Sequence, residues 1–373
     1  MHDSEFSLND GLIYLNHAAV SPWPQRTAAA VKAFADENAI LGSSNYPHWI
    51  AVESALREQL RRLIKAESAS EIALLKNTSE ALSVVAYGLP WQQGDNVVIT
   101  SQEFPSNRVV WESLTQFGVA TRAADITQAD SPEAAIIACM DASTRLLSVS
   151  SVQYGTGLRL DLEVLGSACR ERNILFCVDA IQSLGALQFD VQACHADFVM
   201  ADGHKWMLGP EGIALFYCRH SSMQQLALRQ YGWHMLEDHL NFDQHSWEIA
   251  ESARRFECGS PNMTGIHALH ASLELIHETG MQTIQKQVME NTRFMLDFFN
   301  QRPHSYRLLT PQDSARHAGI VTFLPLHETA ESVHHMLTGE NVACALRGGG
   351  VRYSPHFYTP RKQLFRALEL LDG

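Results

Sequence analysis

The chain has 373 residues, 46% of them apolar and 18% charged, an ordinary globular composition at a length that usually needs more than one hydrophobic core. Forty-one acidic against 28 basic side chains leave a net charge of -13, which argues against a broad nucleic-acid or acidic-membrane surface, since phosphate affinity needs clustered Lys and Arg. Met1-His2-Asp3-Ser4-Glu5 lacks the basic start and apolar run of a secretory signal, no stretch approaches the roughly 20 apolar residues that span a bilayer, and the seven cysteines never form a Cys-x-x-Cys pair. A reducing cytoplasm is therefore expected, with no disulfide framework and no structural zinc.

In chain order, residues 1–40 are expected to pack on a small C-terminal domain or lie across the cleft between two domains. Residues 41–260 form the large domain. From about Ile50 to Cys218, strand-like runs alternate with amphipathic helical ones: Asn96 to Thr100, Arg145 to Ser151, Ile174 to Asp179, Phe198 to Ala201 and Gly212 to Cys218. They are short, β-branched or aromatic, and largely apolar, as expected of strands covered on both faces. Between them, Leu162, Leu165, Ala168 and Cys169 recur at helical spacing on one face. The alternation predicts an α/β fold with a mixed, mostly parallel sheet and right-handed crossovers. Residues 261–373 read as a smaller α+β domain. Ile266, Leu269, Leu273 and Ile276 mark one helix and Met281 to Phe299 a second; Gly319 to Leu324 and Val342 to Leu346 follow as strands, and a last helix runs through Leu364, Ala367 and Leu371.

Three pieces carry chemistry together. Asp179 ends one buried strand, and Lys205, in Ala201-Asp202-Gly203-His204-Lys205-Trp206, lies just past the next. Their separation suits one strand–helix–strand step, so both side chains can project from the carboxyl edge of one sheet, where open α/β folds bind ligands. A lysine and a carboxylate converging there suit pyridoxal phosphate: the amine condenses with the cofactor aldehyde, and the carboxylate keeps the pyridine nitrogen protonated. The third piece is Lys76-Asn77-Thr78-Ser79-Glu80, whose small hydroxyl residues open a helix and offer a phosphate seat at its N-terminus.

In these motifs the chain resembles the class V aminotransferase group of fold-type I enzymes, which includes cysteine desulfurases and isopenicillin N epimerase-like proteins. The resemblance runs nearly end to end, beginning at Ile13 to Ala19 (IYLNHAA). It implies a Schiff base on Lys205, Asp179 at the pyridine nitrogen, Gln182 at the ring's phenolic oxygen and His204 toward the phosphate with Thr78 and Ser79. Glu103-Phe104-Pro105-Ser106-Asn107 resembles the segment that stacks on the ring, which points to Phe104; Ser151 to Gly157 (SVQYGTG) resembles the loop that contacts the ring from the sheet side, which points to Gln153. Phe256 to Asn262 resembles a segment that reaches the partner subunit's phosphate. That implies a homodimer with shared active sites, Gly259 and Ser260 belonging to the partner's site. Asp202 departs from the pattern, standing where desulfurases of this group usually carry a phosphate-binding Ser. A carboxylate beside a phosphate is unfavourable unless a cation lies between them.

Arg347-Gly348-Gly349-Gly350-Val351-Arg352 is the substrate end. An arginine fork matches a carboxylate, and the resemblance assigns Arg352 to the substrate α-carboxylate, with Arg347 second. Desulfurases of the group carry a mobile loop with a nucleophilic Cys between the corresponding arginines; here only three glycines and a valine lie there, and Cys344 is expected on a buried strand ahead of them. The chemistry expected is therefore at Cα of an amino-acid-like amine, with Lys205 moving the proton. Transamination is the first expectation, C–S lyase or epimerase activity the alternative, and a non-catalytic cofactor-binding module the alternative of another class. No metal is expected: His267, His270 and His277 lie about 100° from the apolar stripe of their helix and read as its solvated face. Gly155-x-Gly157 and Gly348 to Gly350 are not dinucleotide fingerprints.

Overall fold

The computed structural model describes residues 4–127, 131–243 and 245–372, so the first three residues of the N-terminal segment lie outside the described residues. After β1 (Ile13–Tyr14), the strands β2 (Ile72–Leu75), β3 (Asn96–Thr100), β4 (Ala120–Ala124), β5 (Thr144–Ser150), β6 (Leu175–Asp179), β7 (Phe198–Asp202) and β8 (Ala214–Cys218) build one sheet, in the order β2-β8-β7-β6-β5-β3-β4. Its neighbours run parallel except at β8, which is antiparallel to both β2 and β7. The carboxyl ends of β5, β6 and β7 therefore lie side by side, with Ser150 opposite Asp179 and Asp179 opposite Met200.

Apart from the edge strand β4, whose middle is partly exposed, these strands are buried and mainly apolar because both faces of the sheet are covered. Val178, Val199 and Leu215 face one core, and their neighbours Cys177, Phe198, Met200 and Phe216 face the other. The helices that cover the sheet are α1 (Gln25–Leu41), α2 (Tyr46–Ile64), α3 (Thr78–Gly88), α4 (Ser106–Glu112), α5 (Pro132–Ala138), α6 (Leu162–Glu171), α7 (His220–Met223) and α8 (Met263–Thr279). On the first face lie Leu56 and Leu60 of α2, Leu165 of α6, and Ile266, Leu269, Leu273 and Ile276 of α8. Ala81, Leu82 and Val85 of α3 and Trp111 of α4 lie on the second.

The remainder contains α9 (Met281–Asn300), β9 (Tyr306–Leu308), β10 (Val321–Pro325), α10 (Ala330–Gly339), β11 (Val342–Ala343), β12 (Ala345–Arg347), β13 (Gly350–Tyr353) and α11 (Arg361–Glu369). Strands β12-β13-β10-β9 make an antiparallel sheet over a third core with Met295, Phe299, Phe323, Tyr353 and Leu364. The run Val342 to Leu346, expected as one strand, is two. It breaks at Cys344, so that β11 pairs with β1 in parallel while β12 pairs with β13. Because α8 packs in the first core of the large sheet and the far end of α9 in the third core, we propose that the two domains divide at Gly280, the left-handed residue between these helices, rather than at residue 261.

The N-terminal segment runs from one region to the other. Ile13 pairs with Val342, His17 N–H donates to the Ser354 carbonyl at 3.1 Å, and Ser21 N–H donates to the His204 carbonyl at 2.8 Å. Among the described residues no helix is long and apolar enough to cross a membrane.

Candidate active site

A cavity of about 310 Å³ opens at the carboxyl edge of the large sheet, and Thr78, Ser79, Phe104, Asp179, Gln182, His204, Lys205, Arg347 and Arg352 all line it. A wider groove of about 1080 Å³ along α6 holds solvated charges of both signs but neither Lys205 nor Asp179, and its size carries no chemistry. Sheet register explains the convergence. Asp179 is the last residue of β6, Asp202 the last of β7, and Lys205 follows in the turn beyond it. That turn is held from outside: the Ser21 hydroxyl donates to the Lys205 carbonyl at 2.5 Å, and Gly185 packs so closely that a Cβ there would sit 2.1 Å from the Trp206 oxygen.

Burial dominates the electrostatics. It lowers the proton affinity of Lys205, against the attraction of Asp179, and the charges of Arg352 and Arg347 lower it further. Burial likewise raises Asp179 above the usual carboxylate range, although its Oδ1 accepts the Ile181 N–H at 3.0 Å. The Lys205 amine stands 5.7 Å from the centre of the Phe104 ring, which meets Tyr154 edge-on at 5.2 Å. Gln182 is pinned by the Trp206 indole N–H on its Oε1 at 2.9 Å, and it gives one amide hydrogen to the Ala18 carbonyl at 3.0 Å.

Two groups of donors flank this centre. The first surrounds the N-terminus of α3, which Asn77 caps through the Glu80 N–H at 2.8 Å. Here the Thr78 hydroxyl and His204 Nδ1 are buried without partners, and the Ser79 hydroxyl reaches Ser106 at 2.9 Å. Burial, followed by the charge of Lys205, pushes His204 down to about 4, so its ring is neutral. The second group is the pair of arginines. Arg352 is 2% exposed, and it donates through Nη1 to the Tyr154 carbonyl at 2.9 Å. Its Nε has no partner, and among the described residues no carboxylate pairs with either Arg352 or Arg347. Burial and the neighbouring Arg347 push Arg352 down to about 10. Arg347 opposes Gly350 across a tight hairpin whose central Gly348 and Gly349 have φ of 60° and 84°. Gly348 also lies against the Gln153–Gly157 loop, where a Cβ would come 2.7 Å from the Gly155 oxygen.

One residue expected at this cavity, Gln153, is not there, and Gly259 and Ser260, expected at a partner's site, lie apart from it. Gln153 is fully buried and donates to Glu103 at 3.2 Å; the buried carboxylate draws it inward, and its neighbour Tyr154 lines the cavity instead. Gly259 and Ser260 line a separate depression with Lys76, Gly212 and Asn262. Tyr154, Ser106, Glu211 and Val20, which the sequence does not single out, also line the cavity, as do Ala18 and Ala19 at the end of the IYLNHAA stretch on which the resemblance begins. Nor does the sequence reveal the role of Glu103, a buried hub that accepts from Thr100, Asn107, Ser150 and Gln153 and so fixes the walls carrying Phe104 and Ser150.

The donor sets fit pyridoxal phosphate. The unpartnered Thr78 hydroxyl beside the helix N-terminus suits its phosphate, an aromatic wall suits its ring, and a buried amine and carboxylate suit its aldehyde and nitrogen.

The family model described as aminotransferase class-V matches residues 13–357. A probable cysteine desulfurase of Methanothermobacter thermautotrophicus is 28% identical over 96% of this chain and 94% of its own length. A cysteine desulfurase of Yersinia pestis is 30% identical over 84% of this chain and 77% of its own length. Among solved structures, apo cysteine desulfurase from Thermococcus onnurineus NA1 superposes with a TM-score of 0.88 at 23% identity, covering 100% of this chain and 96% of that one. The complex of the cystine C–S lyase C-DES with cysteine persulfide superposes with a TM-score of 0.88 at 21% identity, covering 97% and 98%. At these identities the superpositions speak for the fold.

Proposed function

Because the chain belongs to the class-V aminotransferase family, whose members depend on pyridoxal phosphate, we propose that it is a C–S lyase that breaks the Cβ–S bond of a cysteine- or cystine-like amino acid without an enzyme thiol. One observation carries the reading: the candidate substrate arginines are joined by a tight glycine hairpin with no cysteine in it. Cys344, the nearest thiol in sequence, is buried, and burial pushes it up to about 12. The relatives carry names of sulfur chemistry, which favours this alternative over the transamination expected first.

Pyridoxal phosphate would supply an aldehyde for the substrate amine and an electron sink for charge developing at Cα. Thr78, Ser79 and His204 would hold its phosphate. Asp179 would face the ring nitrogen, Gln182 the phenolic oxygen through its remaining amide hydrogen, and Phe104 one face of the ring. Arg352 would bind the substrate α-carboxylate, with Arg347 beside it. Lys205 would hold the cofactor and then, displaced by substrate, take the Cα proton, a role helped by its lowered proton affinity. The Cβ–S electron pair leaves with sulfur. Cysteine and water would thus yield pyruvate, ammonia and sulfide, and a cystine-type disulfide would yield pyruvate, ammonia and a persulfide.

We assign Gly259 and Ser260 to the phosphate of a second subunit in a homodimer, a reading supported by exposed Tyr231, Phe242 and Trp247 in the preceding segment. All seven cysteines are free, in keeping with a reducing compartment.

Product analysis with L-cysteine and L-cystine tests the reaction. Pyruvate equal to the sulfur released is the expected result. Alanine with a protein-bound persulfide would make the chain a desulfurase, and a keto acid that keeps its sulfur would make it an aminotransferase. No turnover of any amino acid would leave a cofactor-binding module.

A further inference from the structure

The phosphate seat contains a negative charge of its own. Asp202 Oδ1 accepts the Thr78 N–H, the first of α3, at 3.0 Å. That N–H and the positive end of the helix would otherwise serve a bound phosphate. The other oxygen, Oδ2, is 3.7 Å from His204 Nδ1, too far for a hydrogen bond, and that nitrogen is buried without a partner. Thr78, 5% exposed, turns an unpartnered hydroxyl toward the same seat. A carboxylate and a phosphate dianion sharing one helix terminus repel each other unless a proton comes between them.

We propose that Asp202 competes with a ligand phosphate for the Thr78 N–H, so that a phosphate-bearing ligand enters this seat together with one proton taken up by the Asp202–His204 pair. When phosphate takes the N–H, Asp202 turns its carboxyl to His204 Nδ1, and the proton, drawn from solvent, lies between them. The charged groups around Asp202 permit this. Lys205 draws it toward the ionised form, whereas Glu211 in the following loop and Asp179 at the end of β6 oppose that form. Glu80 on α3 is turned away, its carboxylate 3.2 Å from Lys76 Nζ. Burial already pushes Asp202 up to about 6, so the proton is within reach near neutral pH.

The inference rests on the pyridoxal phosphate reading of the cavity. Its test is equilibrium binding of pyridoxal phosphate and of pyridoxal, which lacks the phosphate, to the full chain between pH 7 and 8.5. Over that range a phosphate monoester, with its second pKa near 6, is already dianionic. The ratio of the two affinities isolates the phosphate. For the wild type it is expected to fall about tenfold per pH unit, the slope of one linked proton. In Asp202→Ser the ratio stays flat and is about tenfold larger at pH 8. Asp202→Asn, which keeps an acceptor for the Thr78 N–H, is expected to be flat as well and serves if the serine variant does not fold. A pH-independent wild-type ratio, or the wild-type slope in the folded variants, overturns the proposal while leaving the cofactor reading intact. Failure of every form to bind either compound brings down both.

Discussion

Two buried polar regions meet at Trp206, and they are built oppositely. Around His17 and His356 every ring nitrogen is satisfied. His17 Nδ1 contacts the Ser354 carbonyl at 2.8 Å and its Nε2 the Tyr358 hydroxyl at 2.6 Å. His356 Nε2 contacts the Trp206 carbonyl at 3.0 Å, and its Nδ1 accepts the Phe357 N–H at 2.8 Å. On the cavity side, His204 Nδ1, two residues before Trp206, the Thr78 hydroxyl and Arg352 Nε have no hydrogen-bond partner. An unpaired buried polar group costs about 1–3 kcal/mol, so a fold accumulates such groups where a ligand will satisfy them. The closed cluster joins the N-terminal segment to the C-terminal region; the open one awaits chemistry.

The comparison breaks first at Lys205. Lys205→Ala is expected to lower kcat on the order of 10³-fold, because it removes the proton carrier, while leaving the melting temperature unchanged or raised, because it removes a buried amine. Activity assays beside thermal melts read both. A large fall in melting temperature would move Lys205 to the structural side. Arg352→Met should raise KM on the order of 10²-fold for substrates with an α-carboxylate, with stability held or improved by about 1 kcal/mol, since a buried, unpaired cation is removed. An unchanged KM would leave the α-carboxylate to another group.

The histidine cluster predicts an acid limit. Burial holds His356 at about 4 and His17 well below its ordinary value of 6.5. Below pH 6.5 the unfolded chain takes up these protons while the folded chain does not, so stability falls with pH from about 6.5 down to 4. The loss is at most about 1.4 kcal/mol per pH unit for each histidine. Urea titrations at pH 7 and 5 measure it, and His356→Gln should flatten the difference by one proton; an unaltered pH dependence would show that the ring is not the buried neutral group described. The smallest expected effect is that of Cys344→Ala, which should leave sulfur release within about twofold of wild type, because a buried thiol does not act as a nucleophile. Loss of sulfur release in this variant would restore a persulfide mechanism.

Five of the seven strands of the sheet and its carboxyl edge were legible in the sequence because doubly covered strands are mainly apolar runs, whereas the two edge strands, β2 and the polar, partly exposed β4, were not. Asn96 to Thr100 begins and ends as expected, and the other four runs are off by two residues or fewer at each end. The placement of Asp179 and Lys205 at neighbouring strand ends was legible from their spacing, but the expected strand–helix–strand step is not what joins them: β6 and β7 are adjacent and parallel, and residues 180–197 connect them through turns without a helix. What composition could not reveal was direction within loops. Past β5 the alternation that tells one face from the other is lost, so Gln153 and Tyr154 could not be told apart, and the buried Glu103 carboxylate decided between them. The apolar run around Cys344 looks continuous, yet the strand changes sheets there, a tertiary choice made by β1. The helical stripe of α8 announced burial but not against which sheet.

The central claim, that the open cluster holds pyridoxal phosphate on Lys205, is tested most directly by saturating the chain with the cofactor, reducing it with borohydride and mapping the modified peptide by mass. The account predicts a single pyridoxyl group on Lys205, and none bound specifically in Lys205→Ala. A chain that stays colourless with added cofactor, or a label spread over surface lysines, would contradict it.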